Sequence, residues 1–161
     1  MTLTTHAITG AALATLMPSH PVLGFCAGFG SHFLLDAIPH WDYPILSDSI
    51  HPSKGGKLKF SRLLFLDGLR IGGDALLGLV LAALIFGYPY LLTPALIGAI
   101  GGITPDFLQF VYLRFPHPAT SWLQRFHSWI HTRVGFEGRP VLGMTTQVIF
   151  VLLIVSLFKF I

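Results

Sequence analysis

Apolar residues dominate five segments of this chain, and two long polar connections separate them. The segments run from about Leu3 to Met17, Pro21 to Ile38, Gly72 to Tyr88, Leu91 to Leu113 and Val141 to Phe160. At about 1.5 Å per residue the first is short for a membrane span, but all five segments are predicted to cross the membrane. The pattern predicts an all-α, polytopic membrane bundle of about five apolar helices.

Shorter features refine this picture. The turn from Pro18 to Pro21 is tight enough to join the first two helices into an antiparallel hairpin. Residues 60–69 are partly apolar and are predicted to lie on the membrane surface before the third span. Residues 121–132, in the second polar connection, mix aromatic, charged and histidine side chains and predict a short amphipathic helix. The whole chain of 161 residues is predicted to be one domain.

Composition supports membrane embedding and excludes an ordinary soluble domain. Charged residues are 11% of the chain, against about 25% in soluble domains, and mean hydropathy is +0.70. The basic balance does not indicate nucleic-acid binding, because its charges lie in the loops of an apolar protein. Residues 53–57 are predicted to be a flexible loop, since they lack the glycine spacing of a phosphate-binding loop. The single Cys26 excludes a disulfide framework.

The positive charges predict the orientation in the membrane. Lysine and arginine lie within or beside the two polar connections, with Lys159 as the exception. Loops rich in lysine and arginine stay on the cytoplasmic side of a membrane. The N-terminus and both long loops are therefore predicted to be cytoplasmic, and the C-terminus to be outside.

This topology brings polar groups from separate segments to one membrane face. His32 and Asp36 are four residues apart, so they share one side of the second helix, which Pro39 ends. The hairpin places His6 near them. The other groups at this face are Asp74 in the first turn of the third span, Asp106 after Pro105, and the i, i+4 pair His127 and His131.

Histidine and carboxylate without cysteine suit Zn²⁺, Mn²⁺ or Fe²⁺. The predicted ligands are His6, His32, Asp36, Asp106, His127 and His131. Asp74 is predicted to be a further ligand or a catalytic base, and Asp42 a catalytic residue on a rim where His40 also reaches the substrate. Seven candidate ligands exceed one mononuclear site, so either two ions bind or some of these residues orient the ligands.

Each candidate also has a structural interpretation. His127 and His131 could face water or lipid head groups, and His6 could bond a carbonyl. Asp74 could be a helix N-terminal carboxylate paired with Arg70. His40 and Asp42 could be interfacial loop residues. Asp36 and Asp106 are harder to explain in this way, because carboxylates within membrane helices are functional candidates by default.

The chain resembles the LexA-binding, inner-membrane-associated hydrolases, a family of small bacterial membrane proteins. The resemblance rests on four short motifs: Thr5-His6-Ala-Ile-Thr-Gly10, the block from His32 to Asp42, Pro105-Asp106, and the later histidine pair. The family often has Pro-Asp-x-Asp where Phe107 and Leu108 follow Asp106 here. It often has His-Arg-x-x-Thr-His where this chain has His127-Ser-Trp-Ile-His131.

The resemblance implies a metal-dependent hydrolase of the bacterial inner membrane. The expected reaction is hydrolysis of a phosphoester or lipid ester that is reachable from the inner leaflet, with zinc or manganese as the cofactor and one or two ions bound. The expected partners are membrane lipid and a small-molecule or lipid substrate, without nucleic acid. The alternatives are a metal or proton carrier, a membrane scaffold with an inert polar cluster and, more remotely, a haem protein.

Overall fold

A computed structural model describes residues 1–47, 60–115, 117–136 and 138–158. Within these residues the chain forms six α-helices and no strand. The helices are α1 Leu3–Thr15, α2 Pro21–Asp36, α3 Arg62–Phe86, α4 Leu92–Arg114, α5 Pro118–Ile130 and α6 Pro140–Phe158. The predicted all-α class is confirmed, and α5 corresponds to the predicted amphipathic helix.

The third helix begins earlier than its sequence predicts. The Ser61 hydroxyl accepts a hydrogen bond from the Leu64 amide at 3.1 Å and caps α3 at Arg62. Because no proline interrupts the residues that follow, the predicted surface segment is instead the first part of α3. Asp74 therefore lies near the middle of this helix, and its predicted place in the first turn is wrong.

Among the described helices, three are long and apolar enough to cross a membrane, namely α3, α4 and α6, with 25, 23 and 19 residues. The 13 residues of α1 and the 16 of α2 span only about 20 and 24 Å, less than a hydrocarbon core of about 30 Å. Three of the roughly five predicted spans therefore have the length and composition of a membrane span, and α1 and α2 do not. The hairpin of α1 and α2 packs against these longer helices.

Glycines let α4 approach both helices of the hairpin closely. A Cβ atom added to Gly10 or to Gly28 would collide with the carbonyl oxygen of Gly98, and one added to Gly102 would collide with the carbonyl oxygen of His6. Such close approach of helix backbones is typical of membrane helix packing through small residues. It also brings the backbone of α4 beside the first turns of α1.

The small apolar core lies toward the C-terminal end of α1, away from its first turn. Ala7, Ala11 and Ala14 of α1 are all buried, and Ala7 and Ala11 pack in one cluster with Ala95 and Ala99 of α4. Alanine side chains fill little volume, so these helices pack at short distances there. The polar groups are left to gather at the opposite end of the hairpin.

Some sequence predictions concern residues outside the described ranges. Residues 48–59 include Lys54, Lys57 and Lys59, and Lys159 follows the end of α6. The flexible loop predicted for residues 53–57 and the contribution of these lysines to membrane orientation remain predictions.

Candidate metal centre

Four helices bring histidine and aspartate side chains together at one end of the hairpin. The predicted hairpin places His6 of α1 beside the C-terminal end of α2. The rings of His6 and His32 stack with centroids 3.9 Å apart, and His6 Nε2 lies 3.1 Å from Asp36 Oδ1. From the other side, α4 contributes Asp106 and α5 contributes His127.

His32, Asp36, Asp106 and His127 form the first group, in which one ligand atom of each residue lies within 4.8 Å of all the others. His32 Nε2 and His127 Nε2 are 3.3 Å apart, and each lies 3.1 Å from Asp36 Oδ2. Asp106 Oδ1 is slightly farther, at 3.6 Å from His32 Nε2 and 3.8 Å from His127 Nε2. Four of the predicted metal ligands therefore meet at one point.

Burial within the first group is uneven. His32 and Asp36 are 0% and 1% exposed and His127 is equally enclosed, whereas the side chain of Asp106 is 29% exposed. Three of the four side chains are thus shielded from water, and Asp106 lies on the side that water can reach. Buried ionisable groups need a partner of opposite charge or a metal, and this arrangement can provide either.

A backbone contact orients His32. Its Nδ1 lies 2.8 Å from the carbonyl oxygen of Gly102, which can only accept, so Nδ1 carries the proton and donates it. Nε2 is then unprotonated in the neutral ring and directs its lone pair at Asp36 and His127. Histidines that bind metals typically donate their second ring N–H to a carbonyl in this way. The close approach of α4 at Gly102 is what makes this contact possible.

His6 is buried and unsatisfied. Its side chain has 0% exposure, and neither ring nitrogen makes a hydrogen bond within the described part of the chain. His6 Nε2 lies 3.1 Å from Asp36 Oδ1, but the two atoms form an ion-pair contact without a hydrogen bond. An unpaired buried polar group lowers the stability of the fold by about 1–3 kcal/mol. A bound metal ion would supply the partner that the predicted ligand His6 lacks.

Asp36 also belongs to a second group, with His40 and His131, whose ligand atoms again lie within 4.8 Å of one another. His40 Nε2 is 3.8 Å from Asp36 Oδ1, and His131 Nε2 is 3.9 Å from Asp36 Oδ2. Asp42 adjoins both histidines, since its Oδ2 lies 3.1 Å from His40 Nε2 and 3.5 Å from His131 Nε2. The predicted ligand His131 is therefore in this second group and not in the first.

Charge around Asp42 favours its ionised form. Burial would raise the pKa of Asp42, but the contacts with His131 and His40 and the Met1 ammonium outweigh burial and hold this pKa well below its usual range. The same contact with Asp42 raises the pKa of His131. A carboxylate held this strongly is a weak proton acceptor. Its environment suits the binding of a cation better than the catalytic role predicted for Asp42.

A cavity of about 730 Å³ opens beside the second group. Its lining includes His40, Trp41, Asp42 and His131, so residues of the predicted rim border an open space. Two backbone hydrogen bonds connect the segments on either side of the cavity. The Thr132 amide donates to the Asp36 carbonyl at 2.8 Å, and the Phe136 amide donates to the His40 carbonyl at 3.0 Å. The segment after α5 is thereby fixed to the end of α2.

Asp74 binds the start of α1 and not the histidines of the predicted site. Its carboxylate accepts the Leu3 amide at 2.6 Å, the Thr4 amide at 3.3 Å and the Thr4 hydroxyl at 2.6 Å. These donors form the N-terminus of α1, where backbone N–H groups lack helical partners. Asp74 is indeed a helix N-terminal carboxylate, but it caps α1 and not its own helix. It is in neither group, so a role as ligand or base has no geometric support.

Sequence reasoning assigned no role to two buried polar residues. Gln147, in the segment that reads as plainly apolar, accepts the Thr2 amide at 2.9 Å and donates to the Trp41 carbonyl at 2.7 Å. Asp67 is buried and accepts the amides of Leu46 and Ser47. A single amide within an apolar span is a signal in itself, because membrane-buried polar side chains pair with partners across helices.

Comparison with known proteins identifies no relative. No protein-family model, no curated protein and no solved structure matches this chain. The resemblance to the LexA-binding, inner-membrane-associated hydrolases therefore stays a prediction from short motifs.

Proposed function

We propose that this protein is a metal-dependent hydrolase of the bacterial inner membrane and that its first group holds Zn²⁺ or Mn²⁺. The observation that carries the proposal is the spacing of three buried atoms, His32 Nε2, Asp36 Oδ2 and His127 Nε2, at 3.1, 3.1 and 3.3 Å. Ligands at about 2.0–2.2 Å from a tetrahedral ion lie about 3.3–3.6 Å from each other, so the observed separations are close to those of a coordinated set.

The chemistry of these side chains supports the same assignment. Imidazole nitrogen and carboxylate oxygen are the ligand types that zinc accepts, and the bond from His32 Nδ1 to the Gly102 carbonyl orients Nε2 as a ligand. His6 stacks on His32 and touches Asp36, so it holds both in place from the α1 side. Catalytic zinc sites typically use three protein ligands and leave a position open.

Asp106 is suited to proton transfer at that open position. Among the residues of the first group it is the most exposed, and its carboxylate lies 3.6 and 3.8 Å from the two histidine nitrogens. A bound divalent ion would acidify water and stabilise negative charge in the transition state. Asp106 would take the proton that water loses as its oxygen adds to phosphorus or to an acyl carbon, and would return it to the alcohol as the ester bond breaks.

The depth of the site favours a substrate that resides in the membrane. Gln147 contacts Thr2 and Trp41 at the level of the site, and about 10 Å of helix separates Gln147 from the start of α6 at Pro140. If α6 enters the bilayer near Pro140, an ester bond close to the lipid head group reaches the first group. The positive loops favour the cytoplasmic face for this entry, with the N-terminus on the same side.

The apolar core counts against the alternative of a metal or proton carrier. A carrier needs a polar path to the other face, whereas the described helices are closed below the site by alanines such as Ala11, Ala95 and Ala99. Haem is also disfavoured by the geometry, because four ligand atoms within 4.8 Å fit a compact ion better than a macrocycle held between opposed histidines.

Exchanging Asp106 for Asn tests the proposal. The Asp106→Asn variant, purified in detergent, is expected to retain its metal content by elemental analysis and to lose at least about 100-fold in hydrolysis, since proton transfer contributes 10²–10⁴-fold. Chromogenic phosphoesters, chromogenic acyl esters and phospholipid vesicles are the substrates to assay. His20→Ala, a change in an exposed loop residue, is the control. A wild-type protein that binds no transition metal, or an Asp106→Asn variant with full activity, would contradict it.

A further inference from the structure

We propose that the second group, together with the adjoining Asp42, holds a second divalent cation, and that the adjoining cavity binds a phosphate ester across the two ions. This inference rests on the proposed function, because it places a further ion beside the first. It assigns His40 and Asp42 as ligands and selects phosphoesters over carboxylic esters as the substrate class.

The distances from His40 and His131 to Asp36 and to Asp42 are short enough for ligands of one ion, and Asp36 presents Oδ1 to His40 and Oδ2 to His131. Measured separations between ligand atoms run from 3.1 Å, between His40 Nε2 and Asp42 Oδ2, to 3.9 Å, between His131 Nε2 and Asp36 Oδ2. Two ligands of one ion are at most about 4.2 Å apart when each bond is about 2.1 Å. The carboxylate of Asp36 belongs to both groups, which is the arrangement of a bridging ligand between paired ions.

Both histidines of the second group are oriented as metal ligands. His40 Nδ1 lies 2.7 Å from the Ile38 carbonyl oxygen, and His131 Nδ1 lies 3.0 Å from the Thr132 carbonyl oxygen. A carbonyl only accepts, so each Nδ1 is the protonated nitrogen and each Nε2 offers a lone pair toward Asp42 and Asp36. His32 in the first group has the same arrangement. Three histidines thus share the tautomer that metal binding requires.

The Met1 ammonium occupies one side of the two carboxylates and leaves the side facing the cavity open. The Met1 ammonium lies 3.0 Å from Asp36 Oδ1 and 2.7 Å from Asp42 Oδ1, so these oxygens already face positive charge. The opposite oxygen of Asp42, Oδ2, is the one that faces His40 and His131. This oxygen and the two histidine nitrogens remain available to an ion on the cavity side.

The cavity indicates the class of substrate. Its lining combines Asp42 and His131 with Arg133, Thr132 and Tyr43, which are cationic or can donate hydrogen bonds. Arginine and hydroxyl donors suit the oxygens of a phosphate. Paired divalent ions stabilise both the attacking and the leaving oxygen of an in-line phosphoryl transfer. A phosphate of a lipid head group or of a soluble ester fits this chemistry.

Metal stoichiometry and electron paramagnetic resonance of the full chain loaded with Mn²⁺ test the second ion. Wild type is expected to hold about two ions with an exchange-coupled spectrum, as for ions about 3.5–4 Å apart. His40→Ala is expected to hold about one ion with the spectrum of isolated Mn²⁺. His20→Ala should match wild type, and Asp42→Asn replaces His40→Ala if that variant does not fold. Inorganic phosphate is expected to bind at least about tenfold more weakly to the one-ion variant.

The outcomes separate this inference from the proposed function. One ion in wild type, lost in His32→Ala and retained in His40→Ala, would overturn the second site and leave the hydrolase proposal standing. Two ions retained in both His40→Ala and Asp42→Asn would likewise overturn it. Absence of any ion in wild type would overturn both proposals. Once two ions are established, hydrolysis of phospholipid vesicles but not of soluble phosphoesters would identify the lipid as the source of the phosphate.

Discussion

Asp36 and Asp74 are both carboxylates within apolar helices, yet the fold gives them opposite partners. Asp36 faces the Nε2 atoms of His6, His32 and His127 at 3.1 Å each. Asp74 faces the backbone amides and a hydroxyl at the start of α1. One carboxylate meets nitrogens that can offer lone pairs to a metal, and the other meets groups that only donate or prefer to donate hydrogen bonds.

The difference shows what an apolar neighbourhood can indicate. A carboxylate among apolar residues must have a partner, but its own helix does not determine which partner that is. Because α1 is only 13 residues long, it begins at the level of the middle of α3, where its free N–H groups need an acceptor. The length of one helix therefore decides the role of Asp74 in another.

Asp36→Asn should have the largest effect, because it removes the carboxylate that both groups share. The amide keeps the shape but loses the negative charge, so metal binding should fall below detection in elemental analysis. Metal at a hundred times its Kd stabilises wild type by about 2.7 kcal/mol, and this rise in Tm should vanish in the variant. A variant that still binds metal with the wild-type Tm shift would remove Asp36 from the centre of the site.

Gly102→Ala should have the next largest effect, because it separates α4 from the hairpin without touching a ligand. The added Cβ atom would collide with the His6 carbonyl and displace the Gly102 carbonyl from His32. Overpacking of this kind costs about 1–3 kcal/mol, and loss of the orienting bond should weaken metal binding by at least about tenfold.

Gly72→Ala is the matched control for this substitution. Gly72 is also within a long apolar helix, but its added Cβ atom meets nothing within 4 Å among the described residues. Alanine is the better helix former by about 1 kcal/mol, so this variant should be at least as stable as wild type and should bind metal equally. Equal losses in both variants would show that helix flexibility, and not the contact at Gly102, explains the result.

The sequence predicts much of the fold because its signals there are local. Apolar runs indicate the helices, the short turn at Pro18 to Pro21 indicates the hairpin, and the spacing of His32 and Asp36 places them on one helical side. These features depend on residues that are close in the chain. The gathering of His6 and His127 beside them follows from hairpin and loop topology and is also predicted.

The remaining features depend on contacts that no short pattern encodes. The early start of α3 follows from the cap at Ser61 and from the lack of any helix breaker after it. The membership of His40 in the second group depends on the turn after Pro39, which aims Nδ1 at the Ile38 carbonyl and Nε2 at Asp42. These are matters of backbone geometry that the sequence alone does not specify.

Asp74→Asn should have the smallest effect and an opposite profile to the same substitution at Asp36. The amide retains one acceptor oxygen for the start of α1 but loses the charge that interacts with the helix dipole, so stability should fall by about 1 kcal/mol. Thermal unfolding measures that loss, and elemental analysis should find the wild-type metal content, because Asp74 belongs to neither group. Loss of metal without loss of stability would reverse the comparison and return Asp74 to the site as a ligand.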